Sequence, residues 1–181
     1  MIDTYRKLSD VLKYERTRYF HDDKDYIRCK VLKNSSYQLF QWQKMLRCSE
    51  YHMTKKRNII HYLLWIICSR KKNRMGLKLG VDIPENIFSE GLRIYHPGAI
   101  CVNSHARVGK DCIIVGNVCI GNKNGMSIAP VIGDCCMLGY GCTVIGDITL
   151  GNNISVAAGA VVTKTYREDG TVLVGIPAHQ M

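Results

Sequence analysis

Residues 101–122 read CVNSHARVGKDCIIVGNVCIGN, and a beat of six runs through them at Val102, Val108, Ile114 and Ile120. After an interruption the same phase returns at Ile132, Leu138, Val144, Leu150, Val156 and Val162. A second series rides four residues behind the first: Ala106, Cys112, Val118, Cys136, Cys142, Ile148, Ile154 and Ala160 are all small or apolar. The slot after the first series is often glycine, at Gly109, Gly121, Gly133, Gly139 and Gly151. A period of six is neither the 3.6 of a helix nor the 2 of a flat strand. A short fixed period with turn residues describes a chain wound into a solenoid, the hexapeptide parallel β-helix. The aliphatic series fills its interior, the small series fits where the wall turns closely, and each coil buries its neighbour's inner face.

The chain has 181 residues and a seam. All 16 glycines and all 4 prolines lie after residue 75. The first 74 residues carry 18 Lys/Arg against 7 Asp/Glu, a balance of +11, whereas residues 75–181 are nearly neutral. This predicts a basic α-helical N-terminal region, residues 1–75, and a β-helix domain, residues 76–181. The nine cysteines form no C-x-x-C pair and no zinc spacing. Three of them occupy small-residue slots of the beat, where a thiol acts as a small hydrophobe. The opening residues are polar and charged, unlike a secretory signal. Free thiols in a reducing cytoplasm follow.

Without glycine or proline, the N-terminal part reads as helices separated by polar turns. Tyr5, Leu8, Leu12 and Tyr19 have helical spacing; residues 22–25 read as a break; Ser35 and Ser36 stand where another helix starts. Residues 59–68, IIHYLLWIIC, form a solid apolar run. It is too short for a bilayer, which takes about 20 residues. It reads as a helix buried against its neighbours or another subunit. The sharper alternative is a membrane-surface helix, because residues 55–57 and 70–72 flank it with positive charge. Nucleic-acid binding lacks any supporting helix-turn-helix, finger or stacking motif.

Reactive side chains must lie off the beat. By counting, His96 falls six before Val102, in an aliphatic slot, and a titratable ring there violates the pattern as functional residues do. The alternative is a satisfied core histidine. His105 reads as a turn residue and His179 as a solvated one. A histidine suits general-base work and is usually oriented by a carboxylate. Asp82 lies 14 residues earlier, near one coil of 18, with Glu85 and Glu90 as weaker candidates; alternatively, Asp82 caps the turn before Pro84. Metal catalysis fits poorly, since His96 and His105 are nine apart with no third histidine near. No P-loop and no G-x-S-x-G is present. The interruption at residues 121–131, GNKNGMSIAPV, has a loop composition, and an insertion from a solenoid wall marks a binding face; otherwise it is a plain surface excursion.

The stretch GLRIYHPGAICVNSHARVGKDCIIVGNVCIGN resembles the active-site coil of serine acetyltransferases and their hexapeptide-repeat relatives. The stretches APVIGDCCMLGYGCTVIGDITLGNNISVAAGAVVTK and VLVGIPA continue the match, which covers residues 76–178. The resemblance implies a left-handed parallel β-helix assembled as a homotrimer, or as a dimer of trimers, with the active site between neighbouring helices. It implies acetyl transfer from acetyl-CoA to a hydroxyl, without metal. His96 falls on the catalytic histidine, and Asp82 lies close to the supporting carboxylate. Gly139 and Ala157 fall along the CoA wall, where small side chains let pantetheine approach. Thr163 and Lys164 fall near the nucleotide end, where Lys164 pairs with phosphate. Tyr95 stands where serine acetyltransferases have an aspartate, and Ala129 where a second histidine contacts serine. The loop is shorter, and His179 follows the terminal G-x-P-A. These departures leave the acceptor open between serine and a sugar or polysaccharide hydroxyl. The reading from another class is a non-catalytic β-helix scaffold that holds a membrane surface or acidic partner through its basic helices.

Overall fold

The computed structural model describes residues 2–123, residue 125 and residues 127–181. The chain divides into two compact units, Met1–Gly80 and Val81–Met181.

The first unit holds four helices: α1 (Tyr5–Tyr19), α2 (Asp23–Leu32), α3 (Ser35–Thr54) and α4 (Ile59–Leu79). A short polar side chain starts each one by accepting a backbone amide that no intrahelical carbonyl can use. Thr4 accepts from Lys7 at 3.2 Å, Asp22 from Asp25 at 2.7 Å, Asn34 from Tyr37 at 3.0 Å and Asn58 from Ile60 at 2.9 Å. The break between α1 and α2 falls at residues 20–22, at the start of the expected stretch 22–25, where the Asp22 carboxylate caps the second helix and Asp23 and Asp25 suit its positive end. Helix α4 continues through Met75 and stops at Gly80, whose φ of 71° is left-handed.

Ile2, Leu8, Val11 and Tyr51 pack into one apolar cluster. The Tyr19 hydroxyl donates to Gln43 Oε1 at 2.9 Å in the interior. Arg47 on α3 binds Glu15 of α1 at 2.7 Å and Glu50 at 2.9 Å, and all three side chains are buried. Burial opposes the Arg47 charge, yet the carboxylates of Glu50 and Glu15 hold its guanidinium above the ordinary value.

The apolar run on α4 is not buried within this chain. Ile59, Ile60, Leu63, Leu64 and Ile67 stay exposed, Ile59 at 67% and Ile67 at 60%. Lys72 and Gly76 are the buried residues of this helix. At 100° per residue, these five residues share the face that continues into the exposed Arg70, Lys71 and Arg74. The run is apolar on every side, so periodicity alone does not choose the inward face. Among the described residues, no helix is long and apolar enough to cross a membrane.

In the second unit, short strands build three sheets, the walls of successive coils. The first wall stacks Val81–Asp82, Ile100–Val102, Cys119–Gly121, Thr143–Ile145 and Val161–Val162. The second stacks Arg107–Val108, Val131–Ile132 and Thr149–Leu150. The third stacks Arg93–Ile94, Ile113–Ile114, Met137–Leu138, Ser155–Val156 and Val172–Val174, then ends in an antiparallel pairing with His179–Gln180. The other pairings are parallel.

The beat of six is the register of these walls. Val102, Ile120, Val144 and Val162 are in-register neighbours, as are Val108, Ile132 and Leu150. Ile94, Ile114, Leu138, Val156 and Leu173 form the third interior ladder. All are buried, each contributing about 1.5–3 kcal/mol of transfer free energy against full exposure. Thr149 pairs with Val131, a coil of 18 residues. Cys119 pairs with Thr143 instead, which places six additional residues in the corner that carries the loop.

Candidate active site

His96 does not occupy an interior slot. Arg93 pairs with Ile113, 20 residues on, so this coil carries two more residues than the regular 18. The interior residue before Ile100 and Val102 is therefore Ile94, and the two additional residues push His96 onto an exposed bend at the corner. Counting backwards in sixes misses this because the beat only begins after the corner.

That corner follows the third wall, and its residues stack coil upon coil. One ladder contains Tyr95, Val115, Gly139 and Ala157; the next contains His96, Gly116 and Tyr140. Backbone bonds tie them: Tyr95 N–H to Ile114 at 2.9 Å, His96 N–H to Val115 at 3.0 Å, Val115 N–H to Leu138 at 2.9 Å, Gly139 N–H to Val156 at 2.8 Å and Ala157 N–H to Leu173 at 2.8 Å. The structure thus brings together His96, Tyr95, Gly139 and Ala157, four of the residues singled out in the sequence.

Two residues at this corner carry no motif that sequence reading would flag. Asn117 accepts the Ala99 amide on its Oδ1 at 2.8 Å and donates from Nδ2 to the Tyr140 hydroxyl at 2.7 Å. Asn117 therefore pins the bend bearing His96 to the next coil. Its φ of 52° is left-handed, a conformation asparagine tolerates better than most residues. Gly116 leaves room for the arrangement, since a Cβ there would lie 3.1 Å from the Tyr140 ring and 3.3 Å from His96 Cβ. The one available signal is the pair Gly116–Asn117, a turn dipeptide one coil beyond Gly98–Ala99. The Tyr95 ring carries the Arg93 guanidinium 4.9 Å from its centroid, a cation–π contact.

Gly139 must be small for the stacking of the coils alone. A Cβ there would lie 2.5 Å from the Val156 carbonyl oxygen and 2.7 Å from the Ala158 nitrogen. The stacking of the next coil requires the glycine.

The other candidates lie elsewhere. Asp82 projects outward from the first wall, in register with Cys101, and no hydrogen bond joins its carboxylate to the His96 ring among the described residues. Thr163 and Lys164 are exposed at the corner after the first wall, the corner that also carries the loop. Ala129 is 4% exposed and packs in the interior. His105 sits in a turn built by Asn103, whose Oδ1 accepts its amide at 2.9 Å. Glu90 pairs with Lys110 at 2.9 Å. Asn124 and Met126 of the loop lie outside the described residues. Among those described, no group of three or more His, Cys, Asp or Glu is placed to hold a metal ion.

No family model matches the chain, and no curated protein matches it by sequence. Solved structures do. The chain is similar to the soybean serine acetyltransferase apoenzyme, with 25% identity and a TM-score of 0.75 over 96% of this chain and 69% of that one. It is similar to serine acetyltransferase from Brucella abortus strain S19, with 20% identity and a TM-score of 0.74 over 98% of this chain and 70% of that one. For the Neisseria gonorrhoeae serine acetyltransferase the identity is 22% and the TM-score 0.73, over 98% and 68%. A further Brucella abortus structure, 20% identical, is a complex with coenzyme A. The chain shares the fold of these proteins across nearly its whole length.

Proposed function

We propose that this protein is an acetyl-CoA-dependent O-acetyltransferase, acting on a left-handed β-helix assembled as a homotrimer or a pair of trimers. The observation that carries the reading is His96: an exposed imidazole on a bend held to the next coil by backbone bonds and by Asn117, beside Tyr95 and Tyr140. The similarity to serine acetyltransferases supports it.

In this reading a neutral His96 nitrogen accepts the proton of the acceptor hydroxyl as that oxygen attacks the thioester carbonyl. The carbonyl oxygen becomes an oxyanion, stabilised by backbone N–H donors. The tetrahedral species collapses, the C–S bond breaks, and the imidazolium returns the proton to the CoA thiolate. The products are the acetyl ester and CoA. Asp82 is the carboxylate assigned to orient His96; catalytic hydrogen bonds commonly close only in the substrate complex. Gly139 and Ala157 keep the wall low for pantetheine, and Gly139 also meets the demand of the stacked coil. Thr163 and Lys164 take the nucleotide end, Lys164 as a point charge for phosphate. Tyr95 faces the acceptor, a serine or a sugar or polysaccharide hydroxyl; Ala129, being buried, shapes the pocket floor from behind. Acetyl-CoA and free thiols both suit a cytoplasmic setting.

The exposed face of α4 favours one second reading, a non-catalytic scaffold that uses its apolar and basic stripe to hold a membrane surface or acidic partner. Thermal unfolding with and without CoA separates the two. A rise in Tm with CoA supports the transferase; no shift supports the scaffold.

A further inference from the structure

Three of the six cysteines of the second unit point inward, and Cys135 is exposed in a turn. Cys112, Cys136 and Cys142 are completely buried in the interior of the coil. Cys101 and Cys119 differ. They lie on adjacent parallel strands of the first wall and are direct register partners. Their neighbours Val102 and Ile120 face the interior, so by strand alternation both thiols face outward on the same side. Cys101 is exposed and Cys119 is half-buried.

Register partners on neighbouring strands stand about 4.8 Å apart, inside the window of about 4.4–6.8 Å between Cα atoms that a disulfide spans. Burial, and then the charge of Cys101, push the Cys119 thiol up. Gly121 follows Cys119 on the same face, and a Cβ there would meet nothing closer than Cys119 Sγ at 3.7 Å. This distinguishes Gly121 from Gly133 and Gly139, whose Cβ would strike the next coil at 2.5 Å. Stacking does not demand glycine at 121, and its missing side chain leaves the Cys119 sulfur accessible.

We propose that Cys101 and Cys119 form a reversible disulfide site on the outer face of the first wall, closed by exchange with a low-molecular-weight disulfide. The Cys101 thiolate, the more exposed of the two, attacks one sulfur of the small disulfide. It forms a mixed disulfide and releases one small thiolate, which takes up a proton. Cys119 then loses its proton to solvent and attacks the Cys101 sulfur, releasing the second small thiol. Two electrons pass from the protein to the small disulfide, which leaves as two thiols, and no other reactant is needed. The site adjoins the carboxylate assigned to the acyl-transfer reading, since Asp82 is the register partner of Cys101 on this face, but the inference rests on the register of this wall and not on that reading.

The test is exposure of the folded protein to glutathione disulfide, trapping of free thiols with N-ethylmaleimide, and mass spectrometry of the tryptic peptides. The expected result is a Cys101–Cys119 cross-link that dithiothreitol reverses, formed while the thermal transition is retained. Cys101→Ser or Cys119→Ser abolishes the cross-link and leaves a glutathione adduct on the remaining thiol. Circular dichroism checks that these surface variants stay folded. Alkylation of both thiols after exposure, a mixed disulfide that never closes, or a link from either cysteine to a different partner overturns the proposal.

Discussion

The Asn117 side-chain amide donates to the Tyr140 hydroxyl at 2.7 Å, and the same side chain accepts the Ala99 amide at 2.8 Å. One residue thus connects three successive coils at the corner that carries His96. Asn117→Ala removes both bonds and frees the bend. The expected outcome is a fall in acetyl-transfer kcat of about tenfold or more, as loss of positioning costs, with CoA affinity nearly unchanged. Tyr140→Phe, which removes only one bond, falls between Asn117→Ala and the unaltered protein in a steady-state assay.

The buried triad of Glu15, Arg47 and Glu50 makes the helical unit sensitive to single changes. Arg47→Met removes the guanidinium that Glu15 and Glu50 bind in the interior and costs about 3–5 kcal/mol. For a unit of this size that lowers Tm by on the order of 10 °C or more. Replacing all three residues by apolar ones of similar volume recovers most of the loss, and differential scanning calorimetry of both variants checks it.

The Nδ1 atoms of His52 and His61 lie 2.8 Å apart across the α3–α4 hairpin. One ring must donate and the other accept, so the pair holds together only while one ring is neutral. Burial, and then the charges of His61 and Lys55, hold His52 below the usual imidazole value. The unfolded chain therefore binds more protons than the folded one in this range, and stability rises with pH. The contribution is complete above the ordinary value of about 6.5 and is lost as pH falls through the lower folded value. A Tm profile across about pH 5 to 8 shows the decline, and His52→Gln flattens it.

Gly139→Ala and Gly121→Ala part ways. The first drives a Cβ to 2.5 Å from the Val156 oxygen and costs about 1–3 kcal/mol of overpacking strain or more. The second has no contact under 3.7 Å and stays within about 0.5 kcal/mol of the unaltered protein. Urea unfolding of the two variants measures the difference.

The three interior ladders were legible in the sequence because their side chains obey one rule: every slot is buried, so every slot is apolar. Val102 and Ile120 announce their pairing eighteen residues apart. His96 was found as an irregularity, but its place was misread, because a two-residue expansion of a corner has no signature when the beat starts only after it. Gly139 was legible as small, but not the reason, since only the stacked coil shows the Val156 carbonyl filling the space of a Cβ. Asn117 and Tyr140 act through contacts between coils, and a reading along one coil passes over them. The α4 run was legible as apolar, and its exposure was not, because every side of the helix there is apolar.

The measurement that bears most directly on the central claim is turnover of acetyl-CoA by the unaltered protein and by His96→Ala, with serine set against a panel of sugars and nucleotide sugars. The unaltered protein is expected to release CoA thiol with at least one acceptor hydroxyl. His96→Ala is expected to lose about 10²–10⁴-fold of that rate, the usual worth of a general base, while keeping its assembly and its thermal shift with CoA. Turnover in His96→Ala equal to that of the unaltered protein would contradict the central claim.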